Sequence, residues 1–477
     1  MKVKNIILLP TLIIALAGCS TNATSLTSDD SNENISSSNN NESSGITDSG
    51  SHNSSTLPVS YFQFSVDGVH ELRKPSETQR ISYAVYSSES FVNFRNKMKA
   101  FANKLNDAFV KRYFKNDDNF IFSPLSIELC LGLAIKSSNG ETRNELLNAL
   151  DMDYETFNAN YKNYFSWLNH TVINNMDYVT SQLLLTNSIW IDDDISLKEN
   201  GLDALRDDYY CYSYDVDFNS QNANQAIREF INQSTKGLID PELNLSPYTL
   251  FVLMNTLYVK DIWNDLGRDL NYAPNEYKFV NSDGSKSNKQ LLNGYYFEGK
   301  TITTSDYSSF FTATNNGYRL YFVKPNAGKN LKDVFSKDVV DYVLNKDSII
   351  YKDDEKMETY ETKCYFPEFN VAGNFELKQL FQEDLNINKI FSPSTCDMSC
   401  LTDATLFCDE VVHIAKLDVN KSGIEGAAVT YMAYPGDAGP GPYTLVQDTF
   451  VVDKEFGFVL TYGDAVVFSG IVNNIDK

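Results

Sequence analysis

Hydrophobic positions divide this chain into four stretches. Lys2 and Lys4 precede an apolar run over residues 6–16, which stops at Ala17-Gly18-Cys19. A basic start, a short apolar middle and small residues before a cleavage point make residues 1–19 an export signal. The run is too short to cross a bilayer of roughly 30 Å. Residues 20–56 are almost wholly Ser, Asn, Thr, Asp, Gly and Glu. That composition buries too little apolar surface to offset ordering entropy, which predicts a disordered tether. In residues 57–90 apolar and polar positions alternate twice, over 61–66 and 81–86, and predict two strands without an assigned role. From Phe91 to Lys477 the pattern is that of a packed domain. Phe94, Met98, Phe101, Leu105, Phe109 and Tyr113 recur every three or four residues and predict one long amphipathic helix. Apolar strands are predicted over 181–191 and 249–259. Near the end, Phe458-Val459-Leu460-Thr461 and Ala465-Val466-Val467-Phe468 flank a turn at Gly463-Asp464. Helices and strands mixed in this way indicate an α+β fold. Residues 434–442, Tyr-Pro-Gly-Asp-Ala-Gly-Pro-Gly-Pro, interrupt the strand pattern as an exposed loop, and a long loop inside a packed domain is usually functional.

The 63 acidic and 40 basic side chains give a formal charge of −23. Such a surface repels the phosphate backbone and excludes a nucleic-acid partner. Catalytic chemistry is poorly provided. Of the four histidines only His170 and His413 fall in the main domain. No G-x-S-x-G elbow, H-E-x-x-H pair, phosphate-cradling loop or dinucleotide fingerprint occurs. Cys408 and His413 lack a third group to orient them as nucleophile and base. The chain is therefore not read as an enzyme, and no cofactor motif is present. Cys130, Cys211, Cys364, Cys396, Cys400 and Cys408 permit disulfides outside the cytoplasm or serve equally as free buried thiols. Without paired C-x-x-C motifs or a neighbouring His they make no zinc site, and no metal is expected.

Motifs narrow the reading. Leu16-Ala17-Gly18-Cys19 resembles the bacterial lipobox, whose Cys carries a diacylglyceryl group. That resemblance implies export and anchoring to the bacterial membrane through Cys19, with the folded part outside the cell. Asn119-Phe120-Ile121-Phe122-Ser123-Pro124-Leu125-Ser126-Ile127 is similar to the N-x-x-x-S-P-x-S-I segment of the serpin family. Gly140-Glu141-Thr142 with Glu145-Leu146-Leu147 resembles its G-x-T-x-x-E-I segment. Residues 227–239 resemble its I-N-x-W-V-x-x-x-T-x-G-x-I helix, with Phe230 where Trp is usual. Leu253-Met254-Asn255-Thr256-Leu257-Tyr258-Val259 and the following Trp263 resemble its L-x-N-A-x-x-F strand. Phe366-Pro367-Glu368-Phe369 and Val412-His413 recur at the expected places. Gly423-Ile424-Glu425-Gly426-Ala427-Ala428-Val429-Thr430 resembles its mobile hinge, G-T-E-A-A-A-A-T. Phe456-Gly457-Phe458 and Val467-Phe468-Ser469-Gly470-Ile471-Val472 resemble its closing strands.

The resemblance implies a serpin fold over residues 91–477: several helices packed on a large mixed β-sheet, two further sheets, and a reactive-centre loop at about 420–450. It implies a monomer without metal or cofactor that inhibits a serine or cysteine protease by loop cleavage and insertion into the large sheet. In the family's register the hinge turns Ile424, Gly426, Ala428, Thr430, Met432 and Tyr434 inward, a set without charge. Glu425, Ala427, Val429, Tyr431 and Ala433 face outward, with the sole charge toward solvent. Ile424 stands where Thr or Ser is usual, and Pro435 is the first residue unable to donate a ladder hydrogen bond. The family's buried shutter cluster maps onto Ser123, Ser126, Asn255 and His413. Counting from Gly423 places the cleaved bond at about Asp437-Ala438, which suits an Asp-directed protease, while Met432, Tyr434, Tyr443 or Leu445 would suit chymotrypsin-like, elastase-like or papain-like enzymes; the loop is longer than is typical. No Lys or Arg occurs between Lys421 and Lys454, so a trypsin-like target is not expected. Ile424, Gly426 and the lengthened loop keep an alternative in view, a non-inhibitory serpin-fold binding or structural module on the cell surface.

Overall fold

The long helix begins at a side-chain cap. The Ser88 hydroxyl accepts from the Phe91 N–H, and helix Glu89–Tyr113 follows. Phe94, Met98, Phe101, Leu105 and Phe109 are buried as their spacing predicts, and Tyr113 is half-buried. This is seen in a computed structural model, which describes residues 62–476 other than 116–117, 175–177, 264–267, 409–410 and 426–442. The next helix, Pro124–Ser137, starts with Ser123 as cap and Pro124 pre-set for the first turn. It is buried on nearly every side, as its almost uninterrupted apolar sequence requires.

Three sheets surround these helices. In the large one the order is Val69–Arg73, Cys211–Val216, Val179–Asp192, Phe251–Ile262, Gly423–Ile424, Val412–Asn420 and Phe369–Glu376, with His170–Ile173 paired to Val179–Asp192. The second runs Phe120–Phe122, Ala465–Val472, Phe456–Tyr462, Tyr318–Pro325, Tyr307–Ala313 and Ile302–Thr303. In the third, Glu358–Pro367 pairs with Lys286–Glu298, with Lys352–Asp353 and, in parallel, with Thr444–Val451. The main core lies on the inner face of the large sheet. A second apolar cluster covers its outer face, where helix Gln221–Ser234 packs over Trp190, Tyr212, Tyr214, Val252 and Met254, with Val412 and Ile414 at its margin.

The segment before the long helix differs from expectation. The described residues 62–66 form no ladder. Phe62, Phe64 and Val66 do point alternately onto the outer cluster, but the backbone is held by side chains. Gln63 exchanges hydrogen bonds with Gln233, and Ser65 N–H donates to Glu229. The strand forms later, as Val69–Arg73, and extends the large sheet at Cys211–Val216. Within 81–86 the Ser82 cap starts helix Tyr83–Tyr86 in place of a strand. Among the described residues no helix is long and apolar enough to cross a membrane.

Candidate functional site

Val412–Asn420 turns through Lys421-Ser422 into the two-residue strand Gly423–Ile424, pairing Val419 with Ile424 and Asn420 with Gly423. The turn is held from several sides. Leu270 N–H donates to Lys421 O at 2.7 Å and Lys421 N–H to Glu368 at 2.8 Å. Ser422 Oγ and Lys421 Nζ both reach Asp269, and the Trp263 indole N–H donates to Asn420 O at 2.6 Å. On its other edge the short strand pairs Gly423 with Ile262 and Ile424 with Asp261. Gly423 and Ile424, the first two residues of the expected hinge, therefore already sit inside the large sheet, with Ile424 fully buried. The ladder ends at Glu425, whose φ of +49° is left-handed and incompatible with a strand. Past it, Phe251–Ile262 and Val412–Asn420 share no ladder among the described residues.

The four polar positions assigned to the shutter lie together beneath this division. His413 Nε2 accepts from Ser123 N–H at 2.9 Å, and Ser123 Oγ donates to Val467 O at 2.7 Å. Ser126 Oγ donates to Asn255 Oδ1 at 2.6 Å. Asn255 Nδ2 donates in turn to Asn187 Oδ1 at 2.9 Å, and Asn187 donates to Tyr161 Oη and Tyr209 O. All are buried. Because Nε2 accepts, the proton of the neutral ring is on Nδ1, and this N–H has no partner among the described residues. Burial pushes the His413 pKa down to about 3, so the ring stays neutral. Asn187 and Tyr161 were not anticipated; the one available signal was a polar Asn within the apolar stretch Leu183 to Ile191.

A third unanticipated residue is Asp261, a fully buried carboxylate beside Ile424. Thr314 Oγ1 and Asn316 Nδ2 each donate to it at 2.7 Å. Burial pushes its pKa up to about 7. Gly426, Ala427, Ala428, Val429, Thr430, Asp437, Ala438 and Cys19 lie outside the described residues. The six remaining cysteines are free thiols, four of them buried and Cys396 and Cys400 half-buried. The carboxylates of Asp192, Asp193 and Asp217 come within 4.8 Å of one another, at the opposite end of Val179–Asp192 from the hinge. Nothing further at that cluster points to an ion.

Comparison with known proteins agrees with this architecture. The family model described as Serpin (serine protease inhibitor) matches residues 96–475. Alpha-1-antitrypsin 1-5 of Mus musculus is 26% identical over 325 residues, which cover 66% of this chain and 75% of that protein. Alpha-1-antiproteinase of Rattus norvegicus is 25% identical over 327 residues, covering 66% of this chain and 74% of its own length. Among solved structures, the thermophilic serpin tengpin in its native state has a TM-score of 0.64 at 19% identity, covering 85% of this chain and 100% of its own. Human thyroxine-binding globulin has a TM-score of 0.63 at 17% identity, covering 80% and 99%. This chain belongs to the serpin family.

Proposed function

We propose that this chain is a suicide inhibitor of serine or cysteine endopeptidases, displayed on a bacterial surface. A protease cuts the loop between Ile424 and Thr444, and the segment beyond Glu425 enters the large sheet between Phe251–Ile262 and Val412–Asn420. The observation that carries this reading is the wedge: Gly423 and Ile424 pair on both edges, and past them the flanking strands share no ladder among the described residues.

The register of the wedge says what the entering strand would meet. Continued six residues, it brings Thr430 opposite His413 on one side and Asn255 on the other. Side chains directly opposite in antiparallel strands share a face, so the Thr430 hydroxyl would reach the unpartnered Nδ1–H of His413. On the outer face Val429 and Tyr431 would come beside Ile414, Val412 and Met254, under helix Gln221–Ser234. The outward set thus enters an apolar layer rather than solvent, which suits its lack of charge beyond Glu425.

Incubation with a panel of proteases is expected to give a complex that survives denaturing electrophoresis, and mass spectrometry of the cut loop tests Asp437-Ala438 as the bait. Loop cutting is expected to raise the melting temperature sharply, and Thr430→Val to reduce the accompanying gain in unfolding free energy by about 1–3 kcal/mol, the cost of a buried unsatisfied donor. Cleavage across the panel without a trapped complex or a stability gain would favour the second reading, a non-inhibitory binding module. The usual Thr or Ser is replaced by Ile424, and human thyroxine-binding globulin shares the fold. Display on the membrane rests on the lipobox-like Cys19 and the polar stretch 20–56, which would hold the folded part clear of the surface. Intact mass of the membrane-bound protein is expected to show a diacylated Cys19, and an unmodified Cys19 there refutes the anchor.

A further inference from the structure

Asp261 is out of place in its strand. Phe251–Ile262 is buried almost end to end, and the other charged residue in it, Lys260, points to the opposite face by strand alternation. Asp261 is fully buried, and no Lys, Arg or His forms an ion pair with it among the described residues. Its Oδ2 accepts from Thr314 Oγ1 at 2.7 Å and Asn316 N–H at 3.2 Å. Its Oδ1 accepts from Asn316 Nδ2 at 2.7 Å and Ile262 N–H at 2.8 Å. Thr314 Oγ1 also lies 3.4 Å from Tyr318 O. A hydroxyl can rotate, so Thr314 can donate to Tyr318 O and accept from a protonated Oδ2. The carboxyl is hydrogen-bonded in either protonation state. Beside it sits Ile424, directly opposite in an antiparallel ladder and therefore on the same face. Ile424 is fully buried, donates nothing to the carboxylate and keeps water away.

We propose that the hinge is a proton-linked wedge: seating Ile424 beside Asp261 favours the protonated carboxyl, so the hinge loosens from the sheet as pH rises. The inference rests on reading Gly423–Ile424 as the start of an inserting strand, and it adds a regulator to that site. Its sign follows from linkage. With Ile424 seated, burial pushes the Asp261 pKa up from 3.8 to about 7. With Ile424 withdrawn, water reaches the carboxylate and the pKa returns toward its ordinary value. Seating is therefore strongest in acid, weakens by up to about tenfold per pH unit between about pH 4 and pH 7, and is level above that.

Other titratable groups lie nearby, and the Asp261→Asn variant separates their contribution from that of Asp261. Tyr318 and Tyr462, which sense the Asp261 charge, are pushed upward by burial. His170, whose ring is 6.2 Å from that of Tyr318 and 4.7 Å from that of Tyr462, is pushed by burial down to about 4. Arg80 acts on His170 and Tyr462. Ser181, opposite Asp261 in the other neighbouring strand, is neutral. Glu425 follows Ile424 in sequence, and at the turn the Lys421–Asp269 pair and Glu368 are exposed or half-exposed.

Hydrogen–deuterium exchange on the full uncut chain tests the proposal, read at the amides of residues 419–424 and 261–262 from pH 5 to pH 8 and normalised to intrinsic exchange. Protection at Ile424 is expected to fall with pH up to about pH 7 and then level. In Asp261→Asn, which cannot ionise, the fall should vanish. In Ile424→Thr, whose hydroxyl can bond the carboxylate, it should move to lower pH, and this variant keeps the test alive if Asp261→Asn does not fold. A flat wild-type profile, or an unchanged slope in either variant, overturns the proposal. No protease is used, so failure to trap a protease leaves this result standing, and a flat profile leaves trapping untouched.

Discussion

On the proposed mechanism, Gly423→Val is expected to turn the protein from an inhibitor into a substrate. A Cβ at residue 423 would lie 2.2 Å from Asp261 O, 3.1 Å from Asp261 C and 3.0 Å from Ile262 Cα. Every one of these is a backbone atom, so no side chain can swing aside. Nor can the strand retreat, because Phe251–Ile262 is laddered along its other edge to Val179–Asp192 from Ser181 to Ile191. The glycine is needed for space. Overpacking a tight site costs about 1–3 kcal/mol and more where backbone must move. At about 3 kcal/mol the occupancy of the wedge falls more than a hundredfold. In that mechanism trapping depends on a race, since the cut loop must enter the sheet before water releases the acylated protease. A hinge that cannot seat its first residue loses that race. Denaturing electrophoresis with a protease that the wild type traps should show at least a tenfold smaller trapped fraction with cleavage undiminished. Unchanged trapping would show that seating at Gly423 does not control insertion.

The physics of individual positions explains what could be read from the sequence. The long helix was legible because its burial is periodic and local: each apolar residue from Phe94 to Phe109 meets the core by its own spacing. The alternation over 61–66 was equally real, and Phe62, Phe64 and Val66 do face the outer cluster. Alternation reports a shared face, not a ladder partner, and here Gln233 and Glu229 side chains take the place of a neighbouring strand. Ser123, Ser126, Asn255 and His413 were found through the motifs around them, and the structure brings the four together. Asn187 escaped because its role comes from a residue in another strand, Asn255, to which it is bonded across the ladder. Asp261 escaped for a simpler reason. The apolar pattern predicted a strand over 249–259, whereas hydrogen bonding carries it to Ile262, past a charge that apolar patterning treats as a boundary. Asn187 and Asp261 are polar groups inside apolar strands, where the unfavourable burial is offset by partners distant in sequence.

Glu128→Gln is expected to stabilise the folded chain at alkaline pH by several kcal/mol while changing little in acid. Glu128 lies on the core helix Pro124–Ser137 with 1% of its surface exposed. The Tyr164 hydroxyl donates to it at 3.1 Å, and no cation pairs with it among the described residues. Burial pushes its pKa up from 4.5 to about 8. Below pH 4.5 the carboxyl is neutral in both folded and unfolded chains and exacts no penalty. Between pH 4.5 and 8 the unfolded chain ionises while the folded chain holds its proton, so stability falls by about 1.4 kcal/mol per pH unit, roughly 4–5 kcal/mol in all. Above pH 8 the loss is complete. Asp261 adds a similar fall ending near pH 7. The buried histidines act in the other direction. His413 and His170, pushed by burial from 6.5 down to about 3 and 4, stay neutral in the fold while the unfolded chain takes up protons below pH 6.5. Stability is lost as pH falls through that range. Between about pH 4.5 and 6.5 the two carboxyls and two histidines offset one another, which gives a plateau with a drop on either side. Urea unfolding at pH 5 and pH 9 separates the contributions. The glutamine variant, which keeps an acceptor for Tyr164, should remove the Glu128 part of the alkaline drop and leave the acid side intact. A stability difference from wild type that is the same at both pH values would mean that Glu128 is already ionised in the folded core at pH 5.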